Sequence, residues 1–588
     1  MPCRFRNRVA LLVLMVVALT TGIAIRLVSF QVYRVEEFRE RAGRQQFGEE
    51  LVPARRGAIL DRFGRELALS VETHSLYAWP ARIKDVGGTA RTVAALLRLD
   101  EAAVRERLDR EHGRPRVARG LAPDDVRAIR NAGLLDGDRP GFELEREISR
   151  AYPLGTLGAH VVGFAGVDLQ GVAGIECVRQ SLLQGEPERV RTLQDGLGHG
   201  FIERTLTPAE PHRDVVLSLD AVLQHVVERE LDAAMRDTEA GAALAIMLDP
   251  RTGEILALAN RPSPALDAYS RSTPEAQRNR ALADRYEPGS TFKVFTAAAL
   301  LDAGVVQPST PFDCEMGKYR VADRTFTDHD PFGTLTFREV VEHSSNIGMI
   351  KASRPMPGGA LEAAIRKFGF GAKTGIELPE DSGAVPDLSR DSAVQQASTT
   401  IGYGVSVTAL QIASAMGAIA NGGVLHPPRL VRGTLTGDGS WTGEPRPEPV
   451  AVVSPRTARL MASILEGVVE RGTGKNAAVP GWRVAGKTGT ARKHIEGVGY
   501  SREAYFASFV GFAPVDDPQV VVLVVIDSPR KGLYYGGQAA APVFRRIMAD
   551  TLARLRVPPS DGERVVSYPG GATEYARAAK ATYLPEVR

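Results

Sequence analysis

The chain has 588 residues, of which 44% are hydrophobic and 24% are charged, so two or three folded domains with ordinary cores are expected. Its 73 basic and 70 acidic residues give a formal net charge of +3. This balance gives no reason to propose nucleic acid as a partner.

An apolar stretch near the N-terminus predicts a single membrane-spanning helix. Val9–Ile25 carries no charge, and the apolar character resumes after Arg26 and continues to Tyr33. Basic residues come before it: Arg4, Arg6 and Arg8. They predict a cytoplasmic tail at 1–8, an anchor at 9–33 and a large domain outside. A cleaved signal peptide is the alternative, although the apolar region is long for one and no clear small-x-small cleavage site follows.

The region 34–210 alternates short predicted strands and helices and has no catalytic spacing. Arg56–Ser70 reads as an extended segment, Thr92–Leu99 as a short amphipathic helix, and Gly155–Gly174 is rich in glycine. Cys177 and Cys314 are expected to be unpaired buried thiols, with a disulfide between them left open. We therefore interpret 34–210 as a non-catalytic module, without a metal site.

The region 211–557 is predicted to be a second, mixed α/β domain. Val215–Leu219 is strand-like, Val222–Met235 is helical, and Ala242–Leu248 with Ile255–Leu258 forms a hairpin. Val520–Ile526 is an apolar run too short to cross a membrane, and it reads as a buried strand. These segments and Lys487 predict an antiparallel sheet sandwiched by helices. Gly433–Pro449 is expected to be a loop, and 558–588 a weakly ordered tail.

Three short motifs carry the chemistry. The first is Ser290-Thr291-Phe292-Lys293, which follows the turn residues Glu287-Pro288-Gly289 and opens a predicted buried helix at 291–301. Ser290 is then close to a helix N-terminus, and Lys293 lies one turn on, where its amine can meet the serine hydroxyl. The same spacing of serine and lysine recurs at Ser528-Pro529-Arg530-Lys531, but no helix is predicted after it. Ser290 is the predicted nucleophile; the alternative is a helix-capping serine beside a solvated lysine.

The second and third motifs supply the partners that this nucleophile needs. In Ser344-Ser345-Asn346, a hydroxyl can relay a proton and an amide can hold a peptide backbone, although a helix cap would also fit. Lys487-Thr488-Gly489-Thr490 follows the predicted strand Trp482–Ala485 and offers a cation, two hydroxyls and a close backbone approach. Lys487 could lower the pKa of Lys293. The similar Lys373-Thr374-Gly375 is expected to be a turn.

The set of serine-lysine, serine-asparagine and lysine-threonine-glycine motifs is the known signature of class A β-lactamases and penicillin-binding proteins. Nearly the whole chain resembles a class B penicillin-binding protein of the cell-division type, often called penicillin-binding protein 3. The segments that carry this resemblance are Arg56–Arg62, Arg150–Pro153, Gly171–Glu176, Gly402–Gly404, Ala420–Gly423 and Tyr534–Gly537. The last segment, with Ala539–Phe544, favours the division type over the elongation type.

The resemblance implies a transmembrane helix, a pedestal or dimerisation-type domain and a transpeptidase domain. It implies that Ser290 forms the acyl ester, that Lys293 is its base, and that Ser344, Asn346, Lys487, Thr488 and Gly489 line the cleft. The N–H groups of Ser290 and Thr490 would form the oxyanion hole. No cofactor is implied. The implied ligands are peptidoglycan stem peptides ending in D-alanyl-D-alanine and β-lactams, and the implied partners are a membrane glycan polymerase and other division proteins. The implied location is the bacterial inner membrane, at the septum.

A D,D-carboxypeptidase, an elongation-type transpeptidase and a catalytically idle division scaffold stay open as alternatives. A class A β-lactamase is disfavoured because no Glu-x-x-x-Asn segment stands between Asn346 and Lys487. The chain departs from the family where Ile347–Ser353 is cut short by Pro355 and Pro357, since a longer helix is expected there.

Overall fold

A computed structural model describes residues 2–38, 47–52, 55–110, 113–137, 141–185, 188–194, 200–207, 212–390, 392–495, 497 and 499–560. The chain divides into two compact units. The first combines Met1–Gly57 with Ser181–Arg213, and the second combines Ala58–Gln180 with Asp214–Arg588. Most of the predicted tail at 558–588 lies outside the described residues.

The described α-helices are numbered here in chain order. They are α1 (Pro2–Val28), α2 (Val86–Leu97), α3 (Glu101–Leu108), α4 (Pro123–Asn131), α5 (Ala159–Val162), α6 (Gly174–Val178), α7 (Gln180–Gln184), α8 (Ala221–Thr238), α9 (Pro274–Gln277), α10 (Arg280–Ala283), α11 (Lys293–Asp302), α12 (Phe337–Glu342), α13 (Asn346–Ser353), α14 (Gly358–Lys367), α15 (Ala393–Thr400), α16 (Ala409–Ala420), α17 (Pro455–Glu470), α18 (Gly536–Ala539) and α19 (Ala541–Arg554).

The described strands are numbered in the same way. They are β1 (Phe47–Val52), β2 (Ile59–Leu60), β3 (Glu66–Ala78), β4 (Arg116–Leu121), β5 (Phe142–Ala151), β6 (Glu188–Gln194), β7 (Gly200–Thr207), β8 (Arg213–Leu217), β9 (Ala242–Leu248), β10 (Ile255–Arg261), β11 (Arg285–Tyr286), β12 (Pro311–Asp313), β13 (Lys318–Val321), β14 (Arg324–Thr327), β15 (Thr334–Thr336), β16 (Val407–Thr408), β17 (Val424–Leu425), β18 (Val431–Thr436), β19 (Trp441–Gly443), β20 (Val450–Ala451), β21 (Ala485–Ile495), β22 (Gly499–Ala513) and β23 (Val520–Asp527).

The first unit contains the N-terminal helix and a three-stranded antiparallel sheet. The helical stretch Asn7–Tyr33 is long and apolar enough to cross a membrane, and its side chains are exposed to the surroundings. Arg26 lies within this stretch, where a long cation can extend towards a membrane surface. The sheet has the order β1-β6-β7.

The second unit begins with a seven-stranded sheet. The order is β19-β18-β8-β2-β3-β4, with β5 on β3, and β2 runs parallel to β8. The predicted helix at Thr92–Leu99 is confirmed, but α2 starts six residues earlier, at Val86, after the capping side chain of Asp85. Apolar side chains of α2, α3, α4 and β3 form one buried cluster.

One predicted loop is wrong. Within 433–449, part of the chain forms the β18–β19 hairpin, in which Gly433 pairs with Gly443 and Leu435 with Trp441. The glycines that suggested a loop include Gly439, which sits in the hairpin turn with a φ of +83°. On its other side β18 neighbours β8, which is distant in sequence, so local composition does not reveal that β18 belongs to this sheet.

The predicted antiparallel sheet is confirmed. Its order is β10-β9-β23-β22-β21, and every neighbouring pair is antiparallel. The central strand β23 is buried on both faces, which explains its continuous apolar run. Residues of α8 and α19 pack on one face, where Val227 and Phe544 join the same buried cluster as Val524. On the other face α16 approaches β9, since a Cβ on Gly417 would lie 3.3 Å from Leu248.

Candidate active site

Ser290 lies in a tight turn that leads into a buried helix. Gly289–Thr291 forms one turn of 3₁₀ helix, and α11 begins at Lys293 rather than at the predicted Thr291. Gly289 has a φ of +54°, and its N–H donates to the carbonyl of Gly402 at 3.1 Å. A Cβ on Gly402 would lie 2.1 Å from the carbonyl oxygen of Gly289, so the Gly402-Tyr403-Gly404 segment packs directly on the Ser290 turn.

The Lys293 side chain is fully buried, and its amine faces the second motif. Its Nζ donates to the carbonyl of Ser344 at 2.5 Å and to Ser344 Oγ at 3.3 Å. Among the described residues, Ser290 Oγ is not a hydrogen-bond partner of this amine, which corrects the expectation that the two meet directly. Burial lowers the pKa of Lys293 to about 7, and the carboxylate of Asp328 acts in the opposite direction.

Ser344 is the point where both lysines meet. Lys487 Nζ donates to Ser344 Oγ at 2.9 Å, and Lys487 is as deeply buried as Lys293. Burial, followed by the charge of Lys293, lowers the pKa of Lys487 well below its ordinary value. Two ammonium groups sharing one hydroxyl in a buried site disfavour each other, so they titrate as a coupled pair. Ser344 itself has a φ of +63°, an uncommon conformation for a residue with a side chain.

A carboxylate that the sequence reasoning missed holds the second motif. Asp328 accepts from the Ser345 hydroxyl at 2.6 Å and from the backbone N–H groups of Asn346 at 2.5 Å and Ile347 at 3.1 Å. The Asn346 side chain donates to the carbonyl of Thr327 at 2.7 Å. The end of β14 therefore fixes the start of α13. In the sequence, the one signal for this role of Asp328 is an acidic residue directly after a strand and shortly before the second motif.

The helix after this motif is short, as predicted from its prolines. α13 ends at Ser353, and α14 begins only at Gly358. The N-cap of α13 is Ser345, whose hydroxyl accepts from the N–H of Gly348 at 3.0 Å. The capping role that was the alternative for this motif therefore belongs to Ser345, and Ser344 and Asn346 remain available for the cleft.

The third motif lies inside a strand rather than after one. β21 starts at Ala485, so the predicted strand Trp482–Ala485 is wrong except for its last residue. β21 is the edge strand of the five-stranded sheet, and an edge strand offers unpaired backbone N–H and C=O groups to a peptide. Thr488 Oγ1 lies 2.7 Å from Thr473 Oγ1, and Thr490 Oγ1 accepts from the N–H of Gly536 at 3.0 Å.

Gly489 brings the third motif against the first. A Cβ at Gly489 would lie 2.4 Å from Ser508 Oγ and 2.8 Å from Thr291 Cγ2. On the other side of the contact, a Cβ at Gly289 would lie 3.2 Å from the carbonyl oxygen of Thr490. The structure thus packs β21 directly on the Ser290 turn, and the backbones of Ser290 and Thr490 lie in adjoining segments.

The two similar motifs have other surroundings. Ser528 follows β23 with a φ of +53°, and Lys531 forms an ion pair with Glu239 at 3.0 Å. Thr374 donates to Glu380 at 2.7 Å in a segment without regular secondary structure. This geometry agrees with the predictions that no helix follows Ser528 and that Lys373-Thr374-Gly375 lies outside the site.

Both described cysteines, Cys177 and Cys314, are free. Cys314 is buried as predicted, and its Sγ lies 3.4 Å from the Ser345 hydroxyl oxygen. Cys177 is exposed, so its predicted burial is wrong. It lies in the short helix α6, in which the buried residues are its neighbours Ile175 and Glu176.

Comparison with known proteins gives the class. Residues 243–549 match the penicillin binding protein transpeptidase domain, and residues 51–217 match the penicillin-binding protein dimerisation domain. The peptidoglycan D,D-transpeptidase FtsI of Escherichia coli is 34% identical over 517 residues, which covers 86% of this chain and 85% of that protein. The stage V sporulation protein D of Bacillus subtilis is 34% identical over 516 residues, covering 86% of this chain and 79% of that protein.

A solved structure agrees with these relatives. Penicillin-binding protein 3 of Mycobacterium tuberculosis, crystallised with aztreonam, is 30% identical with a TM-score of 0.69, and the match covers 87% of this chain and 98% of that one. The chain belongs to the class B penicillin-binding proteins of the FtsI type.

Proposed function

We propose that this protein cross-links peptidoglycan stem peptides through an acyl ester on Ser290. The observation that carries the proposal is the convergence of two fully buried lysine amines on Ser344 Oγ, beside the turn that presents Ser290. A serine hydroxyl needs a base at neutral pH, and a buried lysine with a lowered pKa can accept its proton.

The first half-reaction transfers the donor to the enzyme. Ser290 Oγ attacks the carbonyl carbon of the penultimate D-alanine while Lys293 takes the hydroxyl proton, in a donor complex that brings the amine and the hydroxyl into hydrogen-bond contact. The N–H groups of Ser290 and Thr490 stabilise the negative charge on the carbonyl oxygen. The amide bond then breaks, and the departing D-alanine amine takes a proton through Ser344, which Lys293 and Lys487 both contact.

The second half-reaction releases the enzyme. An amine from a neighbouring stem attacks the ester carbonyl, loses a proton to the same base, and leaves Ser290 with its hydroxyl restored. Asn346 would hold the donor backbone through its amide, while Lys487, Thr488 and Thr490 would bind its terminal carboxylate. Gly489 would let that backbone lie close to the edge of β21.

The same proposal extends to the rest of the chain. We infer a cytoplasmic tail at 1–8, an anchor at 9–33, a pedestal at 34–210, a transpeptidase domain at 211–557 and a tail at 558–588. The apolar helix and its basic flank support an anchor in the inner membrane with the catalytic domain outside. Similarity to division enzymes supports action at the septum with a glycan polymerase and other division proteins. Depletion should then produce filaments rather than rounded cells.

The central test is acylation by a fluorescent penicillin. Wild type should form a long-lived adduct, and Ser290→Ala should not. Ser528→Ala is the matched control, because Ser528 heads the same four-residue pattern without the helix, and it should label like wild type. Equal labelling of Ser290→Ala and wild type would contradict the proposal.

A product analysis separates transfer from hydrolysis. With a thioester or stem-peptide donor and an added amine, mass spectrometry should detect the cross-linked amide. Free acid as the sole product would instead identify a D,D-carboxypeptidase, which shares the first half-reaction.

A further inference from the structure

A cavity of about 550 Å³ is lined by charged side chains from several elements of the second unit. This volume is in the range of small-molecule binding sites. Arg285 comes from β11, Lys493 from β21 and Asp527 from the end of β23. Asp381 comes from the chain between α14 and α15. The cavity is therefore built by parts of the chain that only the fold brings together.

Packed side chains lie between this cavity and the Ser290 turn. The rings of Tyr286 and Phe506 are 5.1 Å apart, and Phe506 also lines the cavity. Next to the turn, a Cβ on Gly289 would lie 3.2 Å from the Cβ of Ala491. A ligand in this cavity would therefore not occupy the proposed cleft.

Most of the charges that line the cavity neutralise one another. The lining has four cationic and three acidic side chains. Asp284 pairs with both Arg278 and Arg280, and Lys493 donates to the two carboxylate oxygens of Asp527 at 2.8 and 3.0 Å. These pairs leave one cation and one carboxylate of the lining.

The cation and the carboxylate that are left are Arg285 and Asp381. Within the described part of the chain, the Arg285 side chain forms no ion pair or hydrogen bond, and Asp381 forms no ion pair and accepts the N–H of Gly383 at 2.8 Å. Arg280 Nε is also buried, with no acceptor among the described residues. Opposite charges that line one cavity without pairing are complementary to a ligand that carries both charges.

We propose that this cavity binds the amino-carboxylate centre of a diamino acid, in which one carbon carries both an ammonium and a carboxylate. Arg285 pairs with the carboxylate, Arg280 Nε supplies a further donor, and Asp381 pairs with the ammonium. The apolar members of the lining, Ala283 and Phe506, suit the aliphatic chain that joins two such centres. A free diamino acid and a peptidoglycan stem peptide that contains one carry the same group. The binding does not depend on the proposed acylation of Ser290.

The experiment is titration calorimetry of the full-length protein in detergent at neutral pH, with meso-diaminopimelate as the probe. Two analogues each lack one kind of charge: pimelate has no ammonium groups, and 1,5-diaminopentane has no carboxylates. We expect diaminopimelate to bind and each analogue to bind about tenfold more weakly, because each leaves one charged group of the site without its partner. Acylation by penicillin should leave the dissociation constant unchanged, since packed residues separate the cavity from the cleft.

Two variants test the assigned partners. Arg285→Gln and Asp381→Asn should each weaken binding of diaminopimelate about tenfold. The matched controls are Arg456→Gln and Asp323→Asn, which remove the same charges from exposed positions outside the cavity and should bind like wild type. Circular dichroism checks that each variant is folded.

A stem tripeptide that ends in diaminopimelate distinguishes the two sources of the ligand. Tighter binding of the tripeptide than of the free diamino acid would assign the site to stem peptides, and weaker or equal binding would assign it to the free compound. Three results would overturn the proposal: no binding of either probe at millimolar concentration, wild-type binding by both Arg285→Gln and Asp381→Asn, or loss of binding after penicillin acylation. Failure of penicillin to acylate the protein would contradict the proposed function instead, and the two variants would still test the cavity.

Discussion

The carboxylate of Asp328 accepts a hydrogen bond of 2.6 Å from the hydroxyl of Ser345, and the contact joins the end of β14 to the N-cap of α13. The same carboxylate accepts two backbone N–H groups at the start of α13 and acts on the charge of Lys293. One acidic side chain therefore positions the second motif and also opposes the lowering of the Lys293 pKa by burial.

Asp328→Asn should weaken acylation and stability together. An amide replaces a charged acceptor, and hydrogen bonds to charged groups are worth about 2 kcal/mol each. We expect the free energy of unfolding to fall by about 2 kcal/mol and acylation by a fluorescent penicillin to slow by about tenfold. Chemical denaturation and stopped-flow labelling measure the two. Asp323→Asn, an exposed acid in the β13–β14 turn, is the control and should behave like wild type. If Asp328→Asn were acylated at the wild-type rate, Asp328 would have no role in positioning the second motif for acylation.

Lys293→Ala should slow acylation by roughly 100- to 10,000-fold, because the serine loses its general base. The lysine is buried and its amine bonds to Ser344, so circular dichroism must show that the variant is folded. Lys531→Ala, in the similar pattern after β23, is the matched control and should label normally. Unchanged labelling of a folded Lys293→Ala variant would assign the base to another residue.

Acylation should depend on pH through the lysine pair. Burial lowers the pKa of Lys293 to about 7, so only above that pH is its amine largely free to accept a proton. The acylation rate should fall about tenfold per pH unit below 7 and level off above it. Because the folded pKa of Lys293 is below the unfolded value, the folded state binds fewer protons between about pH 7 and 10.5, and stability should rise with pH across that window. A flat acylation profile from pH 5.5 to 8 would be incompatible with a lysine base of this kind.

Gly489→Ala should separate the third motif from the Ser290 turn. The added methyl would meet Ser508 Oγ at 2.4 Å and Thr291 Cγ2 at 2.8 Å, so β21 or the turn has to shift. A displacement of about 1 Å at a reacting centre can reduce a rate by roughly 100-fold, and we expect a loss of that order in labelling. Gly437→Ala is the control, because no heavy atom lies within 4 Å of its added methyl. Normal labelling of Gly489→Ala would mean that this contact does not position Ser290.

The sequence alone determined the features that depend on neighbouring residues. The hairpin of β9 and β10, the buried run of β23 and the end of α13 before Pro355 all follow from local apolar patterns and from the chemistry of turns and proline. The order of the three motifs likewise predicted the family and the candidate site residues.

Only the tertiary structure decided how those residues meet. Lys487 and Ser344 are 143 positions apart, and Lys293 and Ser344 are 51 apart, so no local pattern could choose Ser344 rather than Ser290 as the partner of both amines. The same holds for the place of β18 beside β8 in the sheet, and for Asp328, which contacts the second motif only because the end of β14 lies beside the start of α13. Local sequence fixes backbone preferences over a few residues, whereas burial of a charge and the choice of its partner are set by groups that the fold brings together from distant parts of the chain.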